Sequence, residues 1–233
     1  MTRVNEYGQP VGEDVTLELP RPRPGPVVLE GRHVRLEPLS MAHAGPLFAQ
    51  TGGAENAALW TYMPQGPFAT RAALEAWMET AVDSRDPLFS AIIDRATGRP
   101  LGFASYLRIA PEVGCIEVGF IMFSKALQGT VHATETMALM MSHVFDTLGY
   151  RRYEWKCDAL NAPSRRAAER LGFRYEGIFR QATVYKGRNR DTAWFAATDR
   201  DWPVLKAGFD AWLDPANFDA EGRQIRGLAD CRG

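Results

Sequence analysis

Three apolar segments in the middle of the chain, Leu88–Asp94, Leu101–Ile109 and Cys115–Phe123, are joined by short turn-rich links, Arg95-Ala96-Thr97-Gly98-Arg99 and Ala110-Pro111-Glu112-Val113-Gly114. A strand returning parallel to its predecessor needs a crossover of about a dozen residues or more, so these links force an antiparallel meander. The pattern then changes. Met137, Met141, Val144, Phe145 and Leu148 recur at helical spacing within Ala133–Leu148, and a strand is expected at Tyr153–Ala159. This strand–helix–strand run is long enough for a right-handed crossover, which places Tyr153–Ala159 parallel to Cys115–Phe123 or close to it. A meander that gives way to a parallel crossover predicts a mixed α/β sheet with helices on both faces.

The flanking segments extend this plan. His33-Val34-Arg35-Leu36-Glu37 alternates like a half-buried strand, and a helical zone is expected between Met41 and Gln50. Leu59–Phe68 is aromatic but broken by Pro64, Gly66 and Pro67, which predicts a loop. Thr70 suits the cap of a helix carrying Leu74, Trp77, Met78 and Ala81 on one stripe. Further on, a helix over Ser164–Leu171 ends at Gly172, and Phe173–Thr198 reads as strands around Lys186-Gly187-Arg188-Asn189-Arg190. The first 26 residues hold Pro10, Pro20, Pro22, Pro24 and Pro26 and predict an extended arm. It is either a disordered leader or an arm packed on its own domain or a partner subunit through Val15, Leu17 and Leu19. The division is therefore an arm over 1–26, a domain over 27–203 and a tail over 204–233.

Composition removes several classes of function. A chain of 233 residues with 45% hydrophobic and 24% charged side chains suits a soluble domain. Its 27 basic and 28 acidic residues nearly cancel, which argues against nucleic-acid binding by phosphate neutralisation. Cys115, Cys157 and Cys231 lie far apart, so neither a disulfide framework nor a metal site is expected, and a reducing cytoplasm is the default compartment. There is no apolar run of ~18 residues and no apolar core within Met1–Pro26, so neither a membrane span nor a signal peptide is expected.

Two junctions carry the chemistry. Phe123–Glu135 leads from a strand into a helix N-terminus, which is either an ordinary connection or an anion site made by unpaired N–H groups. The strand ending in Asp158 leads into Asn161-Ala162-Pro163-Ser164, with Pro163 fit for a first helical turn. Asn161 or Ser164 either caps that helix or meets a ligand at the carboxyl ends of the parallel strands.

The order of elements, with Gln128 to Ala133, Asn161-x-x-Ser164 and Leu171-Gly172-Phe173, resembles the GNAT superfamily of N-acetyltransferases, nearest its RimJ/RimL-type branch. The resemblance spans Leu29 to Trp202. It implies a mostly antiparallel sheet with a splayed central parallel pair, and acetyl-CoA as the coenzyme. The implied reaction is direct acetyl transfer, in a ternary complex, to a primary amine of a protein N-terminus, an amino acid or a small molecule. The family's pyrophosphate loop falls on Gln128, Gly129, Thr130, Val131, His132 and Ala133, and its pantetheine contact on Asn161. Ser164 lies near where a hydroxyl protonates the leaving thiolate in some relatives, and a backbone N–H around Phe120, Ile121 or Met122 would polarise the acetyl carbonyl. Val131 departs from the pattern by standing where relatives keep the central glycine, and valine is β-branched and stiff. Either Gly129 shifts the loop, with Thr130 or His132 donating to phosphate, or the chain is a catalytically weak acyl-CoA-binding or regulatory module.

Amine acetylation also needs a base and an acid. Glu117 is the candidate base, or else a strand carboxylate paired with an arginine. Tyr175 and Tyr185 are candidate acids, or core and rim residues. Trp60 and Tyr62 either grip the amine by stacking and cation–π contact or plug the core edge. The run Lys186–Asp191 is a cationic hairpin tip, solvated or drawing an acidic partner or an adenosine phosphate. Cys157 is most simply a small buried apolar residue. The proline-rich arm leaves room for a homodimer.

Overall fold

The short links do produce a meander. In the computed structural model, which describes residues 3–232, the strands in chain order are β1 (Arg3–Val4), β2 (Pro10–Val11), β3 (Leu29–Glu30), β4 (Val34–Pro38), β5 (Leu88–Asp94), β6 (Pro100–Ala110), β7 (Cys115–Phe123), β8 (Arg152–Asp158), β9 (Arg174–Tyr185) and β10 (Arg188–Thr198). The helices are α1 (Ala44–Thr51), α2 (Arg71–Val82), α3 (Val131–Ser142), α4 (Ala162–Leu171) and α5 (Trp202–Leu213). Strands β3 to β10 form one sheet in the order β3-β4-β5-β6-β7-β8-β10-β9. Within it β7 and β8 run parallel and the other pairs antiparallel. The pairing of β7 with β8 covers only Cys115–Val118 against Arg152–Trp155, and beyond it the two strands part.

Each face of the sheet carries its own apolar core. Leu47, Trp60, Leu74, Met78, Phe103 and Met122 pack under α1 and α2. Ile116, Val118, Met137, Met141, Trp155, Phe195 and Phe209 pack under α3, α4 and α5. Helix starts follow local capping chemistry: the Thr70 hydroxyl accepts from Ala73 N–H, that of Thr130 from Ala133 N–H, and Asn161 Oδ1 from Ser164 N–H. Helix α3 runs on into a π-helical turn over His143–Thr147. No helix among the described residues is long and apolar enough to cross a membrane.

The β6–β7 pairing carries a bulge. Phe103 faces Met122 and Ser105 faces Gly119, which leaves Ala104 opposite both Phe120 and Ile121. Phe120 takes φ +46 to make it. Gly102 lets the backbones approach there: a Cβ on it would lie 2.1 Å from the Met122 carbonyl oxygen. Because the obstacle is main chain, Gly102→Ala is expected to cost about 2–3 kcal/mol, a fall in Tm of about 5–10 °C for a chain of this size. Calorimetry reads this directly, and an unmoved Tm would mean that the strands separate at no cost.

The expected boundary at residue 203 needs correction. The tail does not lie outside the domain, because a division at residue 203 cuts α5. Trp202, Leu205, Phe209 and Trp212 are buried in the α3-side core, and Leu228 and Cys231 are buried with them. Asn217 fastens the returning segment, its Nδ2 donating to the carbonyls of Trp212 and Arg226. The arm packs on its own domain, though of the alternating Val15, Leu17 and Leu19 only Leu17 is half-buried, and the other two stay exposed. Polar grips hold it. Arg21 donates from its backbone N–H to Pro111 O and from Nε to Leu148 O, while Arg23 reaches Ile109 O and the Asp86 carboxylate.

Candidate active site

Where β7 and β8 part, a cleft of about 1650 Å³ runs from the head of α3, past the Phe120 bulge, to the β9–β10 hairpin. At its first end the loop before α3 turns through Gly129, with φ +72. Val131 is the first residue of the helix and carries no positive φ. The Thr130 hydroxyl donates to Leu127 O and takes the Ala133 amide, and Gln128 Nε2 donates to Phe123 O at 2.9 Å, tying the loop to β7. The amides of Gly129, Val131 and His132 have no acceptor among the described residues. The imidazole of His132 turns one nitrogen to Asp94, with Nε2 3.5 Å from Oδ1, and packs near His33 at the edge of the cleft.

Glu135, a residue to which the sequence assigned no role, fixes the direction of this helix head. Its buried carboxylate accepts the backbone N–H groups of Arg32, His33 and Val34 at 2.7, 2.7 and 2.8 Å. The β3–β4 turn thus has its donors satisfied by α3 and locks the helix against the sheet.

At the centre, Glu117 is buried on β7. Its Oε2 accepts from Arg108 at 2.6 Å and faces Lys156 Nζ at 2.9 Å. Lys156, only 5% exposed, also pairs with Glu154 at 2.7 Å and lies 3.7 Å from the Trp194 ring centroid. The carboxylate-with-arginine alternative therefore holds for one oxygen only. Oε1 takes no hydrogen bond among the described residues and lies beside Gly119, one residue before the bulge, 3.6 Å from where a Gly119 Cβ would stand. Burial raises Glu154, but Lys156 and Arg152 outweigh it and hold the carboxyl below its ordinary value.

Beyond β8, Asn161 caps α4 through Oδ1, and its Nδ2 finds no acceptor among the described residues. Ser164 Oγ accepts from Trp155 Nε1 at 3.0 Å, leaving the hydroxyl proton free to be donated. Both residues line the cleft. Tyr175 does not: it is 47% exposed on the edge strand, against Arg165 and Phe195, because its register turns it away from the opening. Tyr185 lines the cleft instead, its hydroxyl donating to Asp158 Oδ2 at 2.7 Å. Burial and that carboxylate push its phenol up to about 12. Cys157 is buried, as expected, and burial raises its thiol.

The aromatic loop divides its roles. Trp60 cannot grip a substrate, since its side chain is wholly buried, packed edge-on against Phe68, and its Nε1 donates to Thr51 O. Tyr62 faces the cleft and bonds Leu160 O through its hydroxyl. The cationic hairpin tip clasps this loop, Lys186 donating to Trp60 O at 2.7 Å and Arg188 to Thr61 O at 2.8 Å. Trp212, Phe218 and Arg223 add a wall to the cleft that sequence reading left outside the domain.

Comparison with known proteins shows the same fold elsewhere. A model of the acetyltransferase (GNAT) domain matches residues 33–174. The chain is similar to a GCN5-related N-acetyltransferase from Brucella melitensis, with 49% identity, a TM-score of 0.91, and cover of 94% of this chain and 99% of that one. It is also similar to a probable GNAT-family acetyltransferase from Chromobacterium violaceum, at 35% identity and a TM-score of 0.76, covering 84% and 99% of the two chains. An uncharacterized N-acetyltransferase p20 from Bacillus licheniformis is 28% identical over 112 residues, which span 48% of this chain and 62% of that protein.

Proposed function

Because the chain belongs to the GNAT family of acetyltransferases, we propose that it moves an acetyl group from acetyl-CoA straight to a primary amine held in the same complex. The observation that carries this reading is the parting of β7 from β8 into one cleft that joins open main-chain amides at the head of α3 to the free oxygen of Glu117. The donor set suits a coenzyme diphosphate: the amides of Gly129, Val131 and His132 lack acceptors and sit at the positive end of a helix. The left-handed turn that a phosphate loop needs is supplied by Gly129, so Val131 is free to be a helical residue. Asn161 Nδ2 would hold the pantetheine arm.

Acetyl-CoA, when bound, supplies the thioester carbonyl that the amine attacks. The backbone of the Phe120 bulge polarises that carbonyl. Glu117 Oε1 takes the proton the amine loses as its C–N bond forms. Ser164 would give a proton to the sulfur as the C–S bond breaks and regain one through solvent as Glu117 releases the amine's proton, so the residues end as they began.

Two measurements test this. Coenzyme A at 100 times its Kd should stabilise the fold by about 2.7 kcal/mol, and acetyl-CoA with a panel of amines and N-terminal peptides should release thiol. Stabilisation without thiol release would leave a binding or regulatory module, and neither effect would remove the coenzyme assignment. Val131→Gly is expected to leave coenzyme affinity equal or weaker in a calorimetric titration. A gain of about tenfold, or 1.4 kcal/mol, would mean that valine obstructs the loop.

A further inference from the structure

Resting on the acetyl-transfer reading, a further conclusion comes from counting the charges in the cleft. Arg108 and Lys156 there have carboxylate partners, Arg170 donates to Thr134, and Arg223 pairs with Asp219 and Glu221. Arg190 lines the same cleft and makes no hydrogen bond or ion pair among the described residues, and its Nε is shut away from solvent. Its guanidinium therefore stands in the cleft with no anion of the protein to hold it, placed to take one from a ligand.

Strand alternation says which ligand. Ala193, Phe195 and Ala197 of β10 enter the core under α3, the helix whose head offers the phosphate cradle. Thr192 and Trp194 therefore face the other way, onto the side where Trp194 covers Lys156, and Arg190, set off from Thr192 by an irregularity in the pairing with β9, lines the same cleft with them. Thr192 stands opposite Asp158, the last residue of β8, and Arg190 lies two residues nearer the β9–β10 turn. Its guanidinium lies 5.9 Å from the Tyr185 ring centroid. This is the acceptor side of the sheet, away from the coenzyme phosphates.

We propose that the acceptor is an amine that also bears an anionic group, and that Arg190 receives that group. The planar fork of a guanidinium matches two oxygens of a carboxylate or phosphate at once. A neutral acceptor would leave the arginine as it stands, unpaired.

The test is thiol release with matched amines that differ only in charge: amino acids against their amides, and aminoalkyl phosphates against amino alcohols. The wild-type chain is expected to favour the anionic member by about tenfold or more in kcat/KM, the loss typical of one charged hydrogen bond. Whether the carboxylates or the phosphates show the preference identifies the anion. Arg190→Gln should bring the ratio near unity through KM, Arg190→Lys should keep part of it, and the KM for acetyl-CoA should stay within about twofold. Equal wild-type rates within both pairs, acid against amide and phosphate against alcohol, would overturn the inference alone, and that comparison needs no variant to fold. A raised KM for acetyl-CoA in Arg190→Gln would overturn it too, assigning the guanidinium to the coenzyme. Absence of thiol release with every amine would instead overturn the proposed function, and this inference with it.

Discussion

Glu117→Gln is expected to lower kcat by about 10²- to 10³-fold, the range of a lost general base, with the KM for acetyl-CoA within about twofold. The reason lies in how differently the two carboxylate oxygens are used. Oε2 is an anchor, held by Arg108 and Lys156, and an amide oxygen can take its place there. Oε1 is open toward the bulge, and an NH2 group in its position accepts no proton. Loss of fold does not explain such a fall. Breaking a buried ion pair costs about 3–5 kcal/mol when a charge is orphaned, but neither partner is orphaned here. Lys156 keeps Glu154, and the Arg108 side chain, 61% exposed, returns to water. Thermal melts of the variant should therefore lie within a few degrees of the parent. Undiminished kcat in a folded variant would return Glu117 to a purely structural part.

How much of this the sequence could reveal depends on the reach of each signal. Link lengths and periodicity act locally, and they were enough for the meander, the crossover and the capped helices. Helix α5 had its own signal, Trp202, Leu205, Phe209 and Trp212 at helical spacing. It was set outside the domain because the family resemblance stopped at Trp202, not because the pattern was weak. The site residues needed more than spacing. Trp60 and Tyr62 are two residues apart in one aromatic loop, and only packing decides that the first fills the core while the second faces the cleft. Tyr175 and Tyr185 share a strand, yet register and irregular pairing put one outside and the other at the opening. Lys156 was the hardest to find. A lone lysine in a strand says nothing until its neighbours are known, and those include a glutamate from the adjacent strand.

Those neighbours make Lys156→Met the second large effect. Glu117 and Glu154 stand directly opposite each other across β7 and β8, an arrangement that repels when both are charged. Lys156 sits between them, 2.9 Å from one and 2.7 Å from the other. Methionine nearly fills its volume against Trp194 but removes the ammonium, leaving two buried carboxylates with Arg108 and Arg152 alone. We expect a loss of about 3–5 kcal/mol at neutral pH and a Tm lower by about 6–15 °C. The dependence on pH identifies the cause. In the parent, Glu154 is held below its ordinary value of 4.5, so its contribution is present above that pH and is lost as pH falls through the folded value. In the variant Lys156 no longer offsets burial, so the folded value of Glu154 moves up and its contribution above 4.5 shrinks. Protonation relieves the repulsion between the two carboxylates as pH falls. The gap between parent and variant should accordingly narrow from pH 7.5 to pH 4.5 in denaturant titrations. A gap that stays constant would show that Lys156 acts through its packing on Trp194, because an apolar contact has no proton to bind.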